Sequence, residues 1–309
     1  MTEEVLRPLR AIFGDRLRTG EPLSRHTSFR IGGPADVWVE VRTDGELQLL
    51  LATAERATVP VFVLGGGTNL LVSDRGVRGI VIKLGRPFAA IEWQPNGTGT
   101  RVRAGAAVPF KKLVTEAVQR SLAGLEFAEG IPGSLGGGLL MNAGAFGGEI
   151  AQVIEAIETV EATAGVRRFA RAELHFGYRR FDLPRGLVVT RLEFRLASGD
   201  ANAIRASLQD CKRRREAHQP LGYPNAGSIF KNPPGQYAGR LIEEAGLKGR
   251  RLGGAMVSEQ HANFIVNVGG ATATDVRALM NEITERVWQK RAVRLQPEVK
   301  LVGEWEEPR

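Results

Sequence analysis

Cysteine is nearly absent. One residue, Cys211, in 309 excludes an intramolecular disulfide and any all-cysteine metal site, and fits a reducing, cytoplasmic setting. Histidine is almost as scarce: the four, at 26, 175, 218 and 261, are too far apart in sequence for a metal-ligand spacing, so no metal is expected. Aromatic residues make up 6%, with three tyrosines, and they are not interleaved with basic residues. That argues against a nucleic-acid surface despite the net charge of +8. No apolar run approaches the ~20 residues of a membrane-spanning helix. The N-terminus, Met-Thr-Glu-Glu-Val-Leu-Arg, lacks the basic-then-apolar order of a signal peptide. Solenoid-length repeats and low-complexity linkers are also missing. These absences lead us to expect a soluble, unexported protein without membrane or nucleic-acid partners.

What is present in excess is glycine, 38 residues against a usual ~7% of a chain. With no collagen-like period, these glycines must serve turns or close backbone approaches. The length suits two domains. Hydrophobic periodicity alternates between strand and helix. Strands are expected at 35–41, Val59–Leu64, Gly79–Leu84, Ile154–Val160, Leu187–Leu196, His261–Val268 and over the terminal Pro-Glu-Val-Lys-Leu-Val-Gly. Thr43 and Glu46 read as a capping box opening a helix that buries Leu47, Leu50, Leu51 and Ala54. Pro109 suits a helix N1 position, with Phe110, Leu113, Val114, Ala117 and Val118 on one face. Further helices are expected around 201–217, at Tyr237–Ala245 and at Thr274–Lys290, and a Pro/Gly/Asn-rich loop from Gln219 to Gly235. The mixture is α+β rather than a regular βαβ succession, and it divides near residue 200.

Two glycine-rich segments stand out. The first, Leu64-Gly65-Gly66-Gly67-Thr68-Asn69-Leu70, follows a buried strand. Without Cβ atoms, its backbone N–H groups can converge on an anion. It fits neither the dinucleotide fingerprint, because position 70 is leucine, nor the P-loop, which needs Gly-Lys-Ser/Thr. A plain glycine turn is the simpler alternative. The second runs from Glu129 to Glu149 through Gly130-Ile131-Pro132-Gly133-Ser134-Leu135-Gly136-Gly137-Gly138 and Met141-Asn142-Ala143-Gly144-Ala145. Its embedded Ile131, Leu135, Leu139, Leu140 and Met141 point to a packed segment rather than a flexible loop, and to a backbone-lined cofactor channel.

These strings, with Arg25–Asp36 ahead of them, resemble those of the UDP-N-acetylenolpyruvoylglucosamine reductase (MurB) family, in order, over residues 22–303. The resemblance implies a FAD-binding unit at 20–198, similar to vanillyl-alcohol oxidase (PCMH-like) relatives, built of α+β subdomains at about 20–86 and 87–198. It also implies a C-terminal α+β substrate-binding domain at 199–309 whose last strand returns to the active site. The implied cofactors are FAD and NADPH. The implied reaction is reduction of UDP-N-acetylglucosamine enolpyruvate to UDP-N-acetylmuramate for peptidoglycan, by a cytoplasmic monomer.

Residue by residue, the resemblance makes Ser228, in Gly227-Ser228-Ile229-Phe230-Lys231-Asn232-Pro233, the proton donor, although a serine after glycine is ordinarily a turn residue. Arg179, in Gly177-Tyr178-Arg179, would meet the substrate carboxylate with its planar cation, and Glu298, in Pro297-Glu298-Val299, would be its partner. The FAD contacts it implies are Leu64 to Leu70, Gly130 to Ser134, Gly136, Gly137, Asn142 and Ala143. The substrate contacts are Tyr178, Arg214, Lys231, Asn232 and His261, where a solvated helix-end arginine and a structural histidine are the simpler alternatives for Arg214 and His261.

The chain departs from the family pattern at Phe181, where a serine is common, and Thr68 keeps a hydroxyl in place of another serine. No extra tyrosine-bearing loop separates Arg179 from Ser228, so the chain resembles the shorter branch of the family. A FAD oxidase acting on an alcohol or lactone is the competing enzyme class. It is disfavoured by the Ser228, Arg179 and Glu298 strings, and the glycine-rich segments contain no His or Cys for a covalent flavin link.

Overall fold

The computed structural model describes residues 2–220 and 222–305. The α+β expectation is met. Packing, however, does not follow a single cut near residue 200. One compact unit takes Met1–Thr19, Val37–Gly66 and Gly79–Arg214; the other takes Gly20–Asp36, Gly67–Arg78 and Arg215–Arg309. Backbone pairing explains the interleaving, because Leu70–Val72 runs parallel to Lys300–Val302 and the Ser73 N–H donates to the Val302 carbonyl at 2.9 Å.

Within the first unit, helix α1 (Glu3–Phe13) buries Leu6, Leu9 and Phe13. Helix α2 (Asp44–Arg56) starts where expected, with the Thr43 hydroxyl accepting from the Glu46 N–H. The second half of the expected capping box is displaced by one residue, since the Glu46 carboxylate accepts from the Arg42 N–H at 2.7 Å rather than from that of Thr43, and it forms a paired contact with Arg16 at 2.8 Å. Helix α3 (Phe110–Gln119) takes Pro109 as its N-cap, one position earlier than expected, and buries Phe110, Leu113, Val114 and Ala117.

The largest sheet is six-stranded and antiparallel throughout. Its order is Gly165–Ala170, Ile154–Glu161, Val188–Ser198, Gly99–Gly105 and Ile91–Asn96, with Leu122–Ala123 also on Val188–Ser198. A second sheet orders Leu17–Pro22, Pro34–Val41, Val77–Leu84 and Val61–Val63. The expected strand from Val59 to Leu64 is reduced to three residues, half-buried, parallel to Val77–Leu84.

Helix α4 (Leu135–Leu140) lies inside the second glycine-rich segment. Propensity disfavours a helix containing three successive glycines, but packing demands it: a Cβ on Gly138 would lie 2.0 Å from the Phe110 ring. Helix α5 (Ala201–His218) begins in this unit and carries the basic run.

In the second unit, α6 (Ala238–Glu244) and α7 (Ala273–Arg291) accompany a three-stranded sheet of Arg251–Leu252, Ala255–Val257 and Ile265–Asn267. Phe29, Phe230, Ile242, Val276 and Ile283 form its core. The N-terminus of α7 is capped by Thr272 with Asp275 and by the Asp74 carboxylate, which accepts from Ala273 and Thr274 N–H groups at 2.7 and 2.9 Å. That anchors the chain just beyond the first glycine-rich segment.

Candidate active site

In the first unit the two glycine-rich segments pass at backbone distance. A Cβ on Gly66 would approach Gly133 Cα to 2.5 Å, and one on Gly65 would approach the Ser134 hydroxyl to 2.6 Å. Only glycine permits this. Leu64 is buried and its N–H bonds the Ile82 carbonyl at 2.9 Å, which fixes the strand end feeding the turn. Opposite, Ile131 N–H closes a turn onto Ala128 at 3.0 Å, with Gly130 at φ 69° and Pro132 following. Gly133 C=O accepts from Phe110 N–H at 3.0 Å. Ser134 caps α4, accepting from Gly137 N–H at 3.4 Å, and Gly136 N–H donates to Ala106 at 2.9 Å. The result is a cradle walled by main chain, suited to an extended anionic cofactor.

Asn142 is fully buried, and both ends of its amide are used. Its Nδ2 donates to Gly177 C=O at 3.1 Å, and its Oδ1 accepts from Ala151 N–H at 3.1 Å. The main-chain N–H groups here are committed as well, that of Asn142 to Leu139 at 2.9 Å and that of Ala143 to Gly138 at 2.8 Å. Through Gly177, Asn142 braces the hairpin Phe176–Gly177 and Arg180–Phe181. Tyr178 and Arg179 form its tip, with Arg179 at φ 55° and its guanidinium over the exposed Tyr178 ring at 5.2 Å. Phe181 is 7% exposed and stacks on Phe176 at 4.7 Å. The departure from the family serine is thus a packing residue of the core.

In the second unit the segment that follows Ser228 is paired antiparallel with the segment that carries Glu298, with Phe230 opposite Pro297. The Glu298 N–H donates to the carbonyl of Ile229, next to Ser228, at 2.8 Å, and Lys231 N–H donates to Gln296 at 2.9 Å. On the other side Asn263 clamps the same segment: its carbonyl accepts from Ile229 N–H at 2.8 Å, while its side-chain amide pairs with both peptide groups of Phe230, at 3.0 and 2.8 Å. Asn225 closes the turn before Ser228 by accepting from Gly227 N–H at 2.9 Å. The tail of the first glycine-rich segment joins this assembly. Asn69 Nδ2 donates to the Glu298 carbonyl at 3.2 Å, and the Ser28 hydroxyl donates to the Asn225 carbonyl at 2.7 Å while its N–H bonds Gly67 at 3.0 Å. Thr68 and Leu70 are half-buried beside Asn69.

The substrate candidates divide. Lys231 is half-buried on the clamped segment, whereas Asn232 is exposed and accepts from Ala238 N–H at 3.0 Å, opening α6. Arg214, in the other unit, is solvated on α5 and paired with Asp210 at 2.7 Å. His261 accepts from Asn263 N–H at Nδ1, 3.1 Å, so its proton sits on Nε2. It packs edge-on against Phe264 and lies where a side chain on Gly239 would clash. Burial holds its pKa below the usual value. The unfolded chain therefore binds more protons, and the stability present at neutral pH is lost as pH falls below about 6.5 and through the lowered folded value. His261→Gln should flatten that acid limb in a pH series of thermal melts; an unchanged limb would show that other groups set it.

Three supporting residues are not among those expected from sequence. Ser28 and Asn263 act through bonds between residues 197 and 33 positions apart, which no local pattern reveals. Lys83 donates to the Gly65 carbonyl at 2.6 Å but reads as an ordinary strand residue.

Residues 35–170 match the FAD binding domain model, and residues 219–302 match the model described as UDP-N-acetylenolpyruvoylglucosamine reductase, C-terminal domain. The chain is 49% identical over 298 residues to UDP-N-acetylenolpyruvoylglucosamine reductase 2 of Symbiobacterium thermophilum, covering 96% of each chain. It is 43% identical over 306 residues to the UDP-N-acetylenolpyruvoylglucosamine reductase of Caldanaerobacter subterraneus subsp. tengcongensis, covering 98% of this chain and 100% of that one. Among solved structures, the UDP-N-acetylenolpyruvylglucosamine reductase of Thermus caldophilus matches with a TM-score of 0.78 at 39% identity, covering 93% of this chain and 98% of that one.

Proposed function

The chain belongs to the UDP-N-acetylenolpyruvoylglucosamine reductase family, and from that membership we propose that it reduces UDP-N-acetylglucosamine enolpyruvate to UDP-N-acetylmuramate with NADPH, through bound FAD. The cradle fits FAD: Gly65 and Gly66 meet Gly133 and Ser134 with no room for side chains, leaving a surface of peptide groups for a diphosphate. FAD held there would supply the hydride, drawn from NADPH, for the terminal methylene carbon of the enolpyruvyl group.

The remaining chemistry belongs to side chains. Hydride addition leaves the adjacent carbon enolate-like, with charge spread onto the carboxylate. Ser228 gives its hydroxyl proton to that carbon, which is basic enough to accept from an alcohol held in place. Arg179 meets the growing carboxylate charge with a permanent planar cation. Glu298 works with Arg179 at the substrate carboxylate, polarising the enolate. Lys231, with Tyr178, Asn232 and His261, serves the sugar nucleotide. Residues 20–198 hold FAD and 199–309 the substrate, in a cytoplasmic monomer of the branch without the extra loop.

The observation that carries this reading is the double clamp on Ile229 and Phe230, the two residues that follow Ser228, with Asn263 bonded to both and the Glu298 N–H donating to the Ile229 carbonyl. A turn serine does not need such fixing. Two results test it. NADPH consumption should depend on the enolpyruvyl sugar nucleotide, with a product two hydrogens heavier; consumption without that product would remove the substrate assignment. Glu298→Gln should leave flavin reduction by NADPH intact and slow reoxidation about 100-fold, whereas an effect confined to flavin retention would place Glu298 in the fold instead.

A further inference from the structure

We infer that Lys83 is a binding residue for the FAD diphosphate, acting through the glycine turn that it grips. The inference rests on the reading that this turn receives FAD. Lys83 lies on the strand Val77–Leu84 between Ile82 and Leu84, both buried. Lysine is rarely buried without a partner. This one is half-buried, and its ammonium donates to the carbonyl of Gly65, the first glycine of the turn, at 2.6 Å.

Two consequences follow from peptide geometry. The peptide joining Gly65 to Gly66 is trans, so its C=O and N–H point in opposite directions. Holding the carbonyl on Lys83 therefore aims the Gly66 N–H away from Lys83, and Gly66 is exposed. A charged donor on the carbonyl also polarises the peptide, making that N–H a stronger donor to an anion. The ammonium adds a positive charge one peptide behind the turn, where surrounding protein screens it less than water does. Burial works against that charge and the Glu40 carboxylate supports it. A diphosphate bound at the turn would supply a second support of the same sign.

A purely structural lysine would tie the strand to the turn without caring what binds there. The two roles separate by experiment. FAD affinity is measured by ultrafiltration of the holoenzyme over a dilution series, for wild type, Lys83→Met, Lys83→Gln and Lys83→Arg, alongside thermal melts of the same proteins stripped of FAD. The expected result is a 10- to 100-fold (about one charge-assisted hydrogen bond) loss of affinity in Lys83→Met. Lys83→Arg should recover most of it, and the stripped proteins should melt alike. Lys83→Gln keeps a neutral donor, so it should fall between the two, and it serves if Lys83→Met does not fold. FAD affinity within twofold of wild type in both neutral variants would overturn the inference. So would equal losses in the arginine and neutral variants with lowered melting of the stripped proteins, which would mark a packing role. A wild-type protein that takes up no FAD would instead remove the FAD reading itself.

Discussion

Ser228→Ala leaves bleaching of the flavin by NADPH at the wild-type rate and slows its reoxidation by the enolpyruvyl sugar nucleotide by about 10²- to 10⁴-fold, the usual contribution of a positioned acid. The substitution removes one hydroxyl and little else. Backbone bonds on either side of Ser228, from Gly227 to Asn225 and from Ile229 to Asn263, involve no atom of its side chain. The segment should stay in place, and FAD retention should not change. Stopped-flow traces of the two half-reactions separate the outcomes. Equal slowing of both would mean that the segment had moved; reoxidation within threefold of wild type would mean that another group delivers the proton. Ser228→Thr, which keeps the hydroxyl, should retain more activity than the alanine variant.

Phe181→Ser, the change that restores the residue common in the family, should destabilise this chain by about 3–5 kcal/mol, the range for emptying a buried phenylalanine site. The ring is 7% exposed and stacks on Phe176, over which the Arg171 guanidinium lies at 5.0 Å. Serine leaves a cavity beneath the Phe176 face and adds a hydroxyl to a mostly apolar place. Because Phe176 and Phe181 are directly paired across the hairpin, the tip carrying Arg179 should loosen as well. The melting midpoint is expected to fall by roughly 10 °C, with a raised KM for the sugar nucleotide. A variant that melts like wild type and turns over faster would show that the serine position belongs to the site in this chain too.

These cases also show which features can be read from residues alone. Helix α2 was legible because Thr43, Glu46 and four apolar positions agree on its start and face. Helix α4 was not, since its reason is the Phe110 ring against Gly138 and nothing in a run of glycines announces a helix. Helix α1 was hidden by Pro8 inside it. The strand expected from His261 to Val268 is confined to Ile265–Asn267. His261 and Asn263 are instead committed to each other and to Phe230, a bonding pattern that alternation cannot express. Ser228, Arg179 and Glu298 are proposed on their flanking strings. The roles of Asn263, Ser28 and Lys83 are not legible in the sequence, because their bonds to Phe230, Asn225 and Gly65 are made through the fold.

The reaction proposed for this chain is that of a flavin reductase whose acceptor is the enolpyruvyl sugar nucleotide. One anaerobic series tests it most directly: absorbance spectra of the purified protein as isolated, after NADPH, and after the sugar nucleotide. The expected result is a flavin band that bleaches with NADPH and returns when the sugar nucleotide is added. Bleaching without return would contradict the acceptor, and a protein still colourless after incubation with FAD would contradict the flavoenzyme as a whole.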